Sequence, residues 1–347
     1  LREELYKEML ARIQEDDASP PERDGAYLYY SRTEKGKQYQ IHCRRKESMD
    51  APEEIVLDEN ILAAGHAFFH IGVFHVSPDH RLVAYTVDTT GSEEHELFFK
   101  VIATGEFLSL TIPRVSDFEW AASELFFVTL MDETRRANRL ARGSLRGPLT
   151  VVYEDSDPLF YMDLAKSKDD KYIFPSRASK DSSEVWYIPT NAPETPMRSV
   201  YGMQKKTQYL VDAREDVFYV VEYGSTPYGR LLMASPEELA RGVWKECIPE
   251  SKVILEGLEC FQTFILLFER KEGVQQIGIW DPVTGEHRVM LSGEPLCAIS
   301  EWANYEYSTT TFRIAYSSFV TPPQIREYDV ASGEYRIIKQ YAVGDSY

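Results

Sequence analysis

Four histidines, His66, His70, His75 and His80, fall within fifteen residues, and His66-x-x-x-His70 would set two imidazoles on one face of a helix, as a zinc site needs. No neighbouring Cys or acid completes a ligand set, and alternation along strands would scatter the four rings, so no metal is expected. His42, His95 and His287 lie on separate strands or turns and form no dyad with a named Ser or Cys. Asp132-Glu133 and Asp169-Asp170 imitate the paired carboxylates of a glycosidase, but adjacent residues on a strand face opposite sides, so solvated turns are the better reading. Asp-rich turns lack the D-x-D-x-D-G order of a calcium loop. A nucleophile elbow, Gly-x-Ser-x-Gly, occurs nowhere, and no cofactor is expected. Cys43, Cys247, Cys260 and Cys297 are scattered without a CxxC pair, which points to reduced thiols and a cytoplasmic protein.

The elements that must position any chemistry are short strands in a repeat. Thr104-Gly105-Glu106 returns as Thr284-Gly285-Glu286 and nearly as Ser332-Gly333-Glu334, at gaps of 180 and 48 residues. Those gaps fit a repeat of about 45 residues, the length of a four-stranded propeller blade. Strand-like runs form seven groups, residues 24–58, 69–111, 113–153, 158–201, 206–250, 252–292 and 295–341, the first with only three clear strands. The fold class expected is all-β: a seven-bladed β-propeller of four-stranded antiparallel blades with a short N-terminal helix. In that helix Leu1, Leu5, Met9 and Ile13 recur every four residues, and Ser19-Pro20-Pro21 ends it. Ser235 to Arg241 is the one other helical turn expected, from its N-cap, first-turn Pro and early acids.

Composition agrees. Hydrophobic residues make up 43% and aromatics 13%, with 22 Tyr and 17 Phe, which suits half-buried strands, and each of the five Trp is expected in the core. The net charge of -18, from 56 acidic and 38 basic residues, with no basic cluster, argues against nucleic acid as a partner, and no apolar run is long enough for a membrane span. With four strands per blade, both chain ends leave on the rim that carries the loops between second and third strands. In those loops Asp88, Glu93, Glu94, Asp132, Glu133 and Asp181 are the candidate substrate-steering residues, suited to short basic peptides.

The run from Tyr29 to Tyr39, continuing to His42-Cys43-Arg44-Arg45, resembles the opening propeller strands of oligopeptidase B-type enzymes in the prolyl oligopeptidase family of serine peptidases. So do Val76-Ser77-Pro78-Asp79, Ala84 to Gly91, Trp120-Ala121, Leu130 to Thr134, Ser182 to Trp186, and Tyr316-Ser317-Ser318 leading to Thr321-Pro322. The resemblance runs in order along essentially the whole chain. It implies a propeller that gates an α/β-hydrolase domain of the same polypeptide, cleavage of short peptides after Arg or Lys, and a Ser, Asp and His triad outside this chain, which alone is then inert. It divides the chain into 1–22, a helix and linker to the hydrolase; 23–341, the propeller; and 342–347, the start of the linker back. It also implies a ring not sealed by strand exchange between first and last blades. One departure follows Thr134, where the family continues Arg-Pro and later Arg-His, but this chain has Arg135-Arg136-Ala137 and Ala141-Arg142-Gly143, so an altered third strand is expected there. The alternative function is a stand-alone propeller serving as a protein-interaction platform.

Overall fold

The computed structural model describes every residue except 204–205, 225–226, 291–293, 295 and 343–347; most of the expected return linker therefore lies outside the described residues, as does part of the loop 224–229. Seven consecutive antiparallel sheets make the seven-bladed β-propeller, with blades at 22–58, 70–101, 115–154, 161–199, 209–248, 253–290 and 297–340. Each sheet is a meander of strands in chain order. Blade one has four strands, correcting the expected three: Glu22–Asp24 pairs with Tyr27–Arg32 two residues before the boundary read from sequence. Blade two has three strands, and two isolated bridges, Leu97 to Ile112 and Lys100 to Phe107, stand in for the fourth. The third strand of blade three, Ala137–Ser144, is intact and pairs along Leu125–Met131, so the departure after Thr134 leaves the sheet whole.

The chain divides into two compact units. One comprises residues 1–64, 273–277 and 289–347 and contains blades one and seven; the other comprises 65–272 and 278–288 and contains blades two to five and most of blade six.

In the larger unit the second strands are buried on both faces, as their β-branched and aromatic runs require: Leu125–Met131 and Ile265–Lys271 each bury five residues in a row. Between blades two and three, Leu82, Leu97 and Phe99 pack on Phe118, Trp120 and Phe126. Trp120 and Phe118 meet edge to face at 4.9 Å, and the Trp120 indole N–H donates to the His75 carbonyl at 3.1 Å. First-to-second-strand turns reuse one device. In Ser77-Pro78-Asp79 and Ser167-Lys168-Asp169 the serine hydroxyl donates to the aspartate at 2.7 Å and accepts the N–H that opens the next strand.

The Thr-Gly-Glu turns share one geometry. Gly105, Gly285 and Gly333 have φ of 75°, 74° and 75°, and the residue before Gly turns its hydroxyl to the N–H of the following Glu at 3.2–3.3 Å. At Gly285 and Gly333 an added Cβ would meet nothing within 4 Å, so the left-handed backbone alone selects glycine.

Helix α1, Arg2–Ala11, buries no residue, and its apolar stripe is exposed throughout. Helix α2, Glu59–Leu62, was not anticipated; it starts where the Asp58 carboxylate accepts the Asn60 N–H at 2.9 Å. Helix α3, Pro236–Ala240, carries the expected N-cap and first-turn Pro, closed by a reciprocal capping box between Ser235 and Glu238.

Candidate functional site

The six acidic residues singled out in the sequence all lie in the larger unit, but they play three different parts. Asp88 ends the second strand of blade two and is 2% exposed. Its Oδ1 accepts from the N–H of Thr90 (2.7 Å) and Gly91 (3.0 Å) and the Thr90 hydroxyl (2.8 Å), and its Oδ2 accepts from the Glu93 N–H (2.8 Å). Burial pushes its carboxyl up, but these hydrogen bonds outweigh it and hold the group at about 2. Asp132 does the same in blade three: it accepts from the Thr134 hydroxyl (2.6 Å) and from the N–H of Thr134 (2.8 Å) and Arg136 (3.1 Å). The Thr134 hydroxyl is the largest influence holding it near 2. Both acids shape their loops. The signal was legible, because Asp88-Thr89-Thr90 and Asp132-Glu133-Thr134 share the Asp-x-Thr spacing that folds a side chain onto its own backbone.

Glu94 lies between two guanidinium groups, Arg135 at 3.2 Å and Arg114 at 3.7 Å, and so joins the loops of blades two and three. Glu93, Glu133 and Asp181 are exposed, although the Asp181 carboxylate accepts from the Ser182 hydroxyl at 2.9 Å. Three of the six therefore present charge to solvent.

Two arrangements were not anticipated. In the smaller unit, blades one and seven meet through ions. Arg313, on the second strand of blade seven, contacts Glu22 of blade one at 2.9 Å, the Pro21 carbonyl at 2.8 Å and Glu327 at 2.8 Å, and Glu327 in turn binds Arg336 at 2.5 Å. The Trp302 indole N–H donates to Glu22, so this Trp serves a polar junction instead of the expected core. Glu306 accepts the Gly25 N–H at 2.9 Å, and Lys339 holds Asp17 at 2.5 Å and the Ala18 carbonyl at 2.7 Å. Burial raises the Glu22 carboxyl above its ordinary range, with Arg313 and Trp302 opposing. Among the described residues neither blade borrows a strand from the other. No sequence pattern marks the pairs, which join residues about 280 to 320 apart.

In the larger unit the first strands carry an acid every 46 to 49 residues: Asp117, Asp163, Asp212 and Glu259. Asp117 accepts the Leu164 N–H of the next blade at 3.1 Å, and Asp212 accepts that of Cys260 at 2.7 Å. Burial pushes Asp117 and Asp212 up to about 7, and the neighbouring Asp163 adds to the rise at Asp117. These carboxyls peg adjacent blades across a backbone edge that would otherwise leave N–H groups unmet.

Among the described residues no helix is long and apolar enough to cross a membrane.

A family model for the prolyl oligopeptidase N-terminal beta-propeller domain matches residues 1–341. Dipeptidyl aminopeptidase BI of Pseudoxanthomonas mexicana is 31% identical over 367 residues, covering 99% of this chain and 50% of that protein. Protease 2 of Moraxella lacunata is 28% identical, with 99% and 51% covered. The chain thus spans about half the length of the curated relatives it matches. Among solved structures, oligopeptidase B from Leishmania major superposes with a TM-score of 0.93 at 25% identity, over 99% of this chain and 51% of that one. Oligopeptidase B from Trypanosoma brucei with covalently bound antipain gives 0.91 at 26%, with the same coverage.

Proposed function

Since the chain belongs to the prolyl oligopeptidase N-terminal β-propeller family, we propose that it is the substrate-admitting, non-catalytic half of an oligopeptidase B-like serine endopeptidase of the cytoplasm that cleaves short peptides after Arg or Lys. The observation that carries the reading is the match of residues 1–341 to the family's propeller domain, with relatives about twice as long, in a chain without a nucleophile elbow. The acyl-enzyme chemistry then belongs to an α/β-hydrolase domain of the same polypeptide. This chain contributes selection by size and charge.

Two features support that division of work. Within the smaller unit the Tyr341 N–H donates to the Pro323 carbonyl at 2.9 Å, so the chain leaves blade seven beside the loop that joins that blade's second and third strands. In the larger unit, loops of that class carry Glu93, Glu133 and Asp181, whose exposed charge suits basic peptides. The ionic contact of blades one and seven supplies a junction that can part without breaking a strand ladder.

The test is hydrolysis of fluorogenic peptides ending in Arg, Lys, Pro or Phe by the full-length protein and by this chain alone. Turnover of the Arg and Lys substrates by the full-length protein only, abolished by a serine-directed inhibitor, is expected. Preference for Pro overturns the specificity, and a gene that encodes no hydrolase beyond residue 347 favours the interaction platform.

A further inference from the structure

The sequence groups His70 with its neighbours His66, His75 and His80, but the fold pairs it with a histidine 25 residues away. His70 opens the first strand of blade two and lies across from Asp88, while His95 immediately precedes the third strand, Glu96–Val101. His70 Nδ1 and His95 Nε2 face each other at 3.2 Å, with the rings tilted by 63°. Two nitrogens bound to one Zn²⁺ at ~2.0–2.1 Å and a tetrahedral angle sit roughly 3.3 Å apart. We propose that His70 and His95 form a two-imidazole binding site for a divalent transition-metal ion of the Zn²⁺ class.

Two further features prepare the pair. His95 Nδ1 lies 3.2 Å from the Glu93 carbonyl, which can only accept, so Nδ1 holds the proton and the Nε2 lone pair is aimed at His70. A backbone carbonyl fixing the far nitrogen is the usual support of a metal-binding histidine. Gly72 clears the space, since a Cβ there would lie 3.1 Å from the His95 ring. The Asp88 and Glu93 carboxylates act on His95 through their charge, and Asp88 is committed to its loop donors.

Without metal, His70 Nδ1–H donates to His95 Nε2. On binding, His70 gives up that proton to water and takes one at Nε2, so both ligands are neutral and no net proton is released. Among the described residues no group of three His, Cys, Asp or Glu completes a closed cage. Water fills the remaining positions, and the ion exchanges. Hard cations such as Ca²⁺, which prefer oxygen ligands, are excluded by the donor set.

Calorimetric titration of the chain with ZnCl₂ at neutral pH tests this, using His70→Ala, His95→Ala and, as a control, His80→Ala in the turn after the first strand. One Zn²⁺ per chain is expected, weakened at least ~10-fold in either pair variant and unchanged in the control. NMR of the wild-type protein, which needs no variant to fold, is expected to show the imidazole resonances of His70 and His95 shifting first as zinc is added. Absence of binding, equal affinity in all variants, displacement by equimolar Ca²⁺, or first shifts at other histidines would each overturn the proposal.

Discussion

The junction between blades two and three and the junction between blades one and seven rest on different principal contacts. The first is mainly apolar: Phe99, Phe118, Trp120 and Phe126 interlock, while the Trp120–His75 hydrogen bond, the Glu94 pairs with Arg114 and Arg135 and the His75–Glu119 contact add polar links. The second is ionic, running through Glu22, Arg313, Glu327 and Lys339. Apolar burial is not screened by salt and is non-directional, so it resists gradual opening. Ion pairs repay their desolvation only while every partner is in place, and exposed ones weaken with salt.

The largest effect expected is at the apolar junction: Trp120→Ala should destabilise the chain by ~3–5 kcal/mol in denaturant titration, with hydrogen exchange accelerating across blades two and three together. Loss of less than ~1 kcal/mol would mean the interlock is not what holds that junction.

Arg313→Ala comes next, at about 2–3 kcal/mol, below the ~3–5 of a fully buried pair because 17% of the Arg313 side chain is exposed. Exchange should quicken in blades one and seven, at Tyr27–Arg32 and Thr311–Ser318, and leave blade three unchanged. Combining Glu22→Gln with Arg313→Met should recover at least half of the loss, since no buried charge is then left unpaired. No recovery would make packing, not charge, the basis of the junction.

Elsewhere in the larger unit, Asp117 pegs blade three to blade four and Asp212 pegs blade five to blade six. Asp117 and Asp212 titrate near 7 in the fold against an ordinary 3.8, so between those values the folded chain binds more protons than the unfolded one. Their contribution is fully present below about pH 4 and is lost as pH rises through about 7. Asp212→Asn should flatten that fall in stability between about pH 4 and 7; an unchanged slope would assign it elsewhere. Asp88 and Asp132 run the other way: with fold values near 2, their contribution is present above about pH 4 and lost on further acidification. Asp88→Ala should cost about 1–2 kcal/mol at neutral pH.

The smallest effect on stability is expected from neutralising Glu93, Glu133 and Asp181 together, within ~0.5 kcal/mol. In the full-length enzyme that triple change should lower kcat/KM for basic peptides at low salt and lose its effect at high salt. An unchanged salt dependence would leave the three as solubilising charge.

Much of the fold was legible because local chemistry dictates it. The Asp-x-Thr loops, the Ser-x-Asp turns and the capping box at Ser235 are all set within five residues of chain. Blade one's first strand was missed because Glu22-Arg23-Asp24 carries no apolar alternation; it forms because Tyr27–Arg32 offers it an edge. Trp302 was read as core from its type alone, yet it half-emerges to bind Glu22.

By itself, then, the sequence determined the blade repeat, the left-handed glycine in each Thr-Gly-Glu turn and the acidic surface, since these follow from spacing, backbone sterics and composition. Only tertiary structure decided that Asp88 is a buried staple while Glu93 is free charge, that His70 meets His95, and that Glu22 meets Arg313. Those are contacts between residues on different strands or blades, and burial, which sets both the cost of a charge and the reach of its partner, exists only once the sheets have packed.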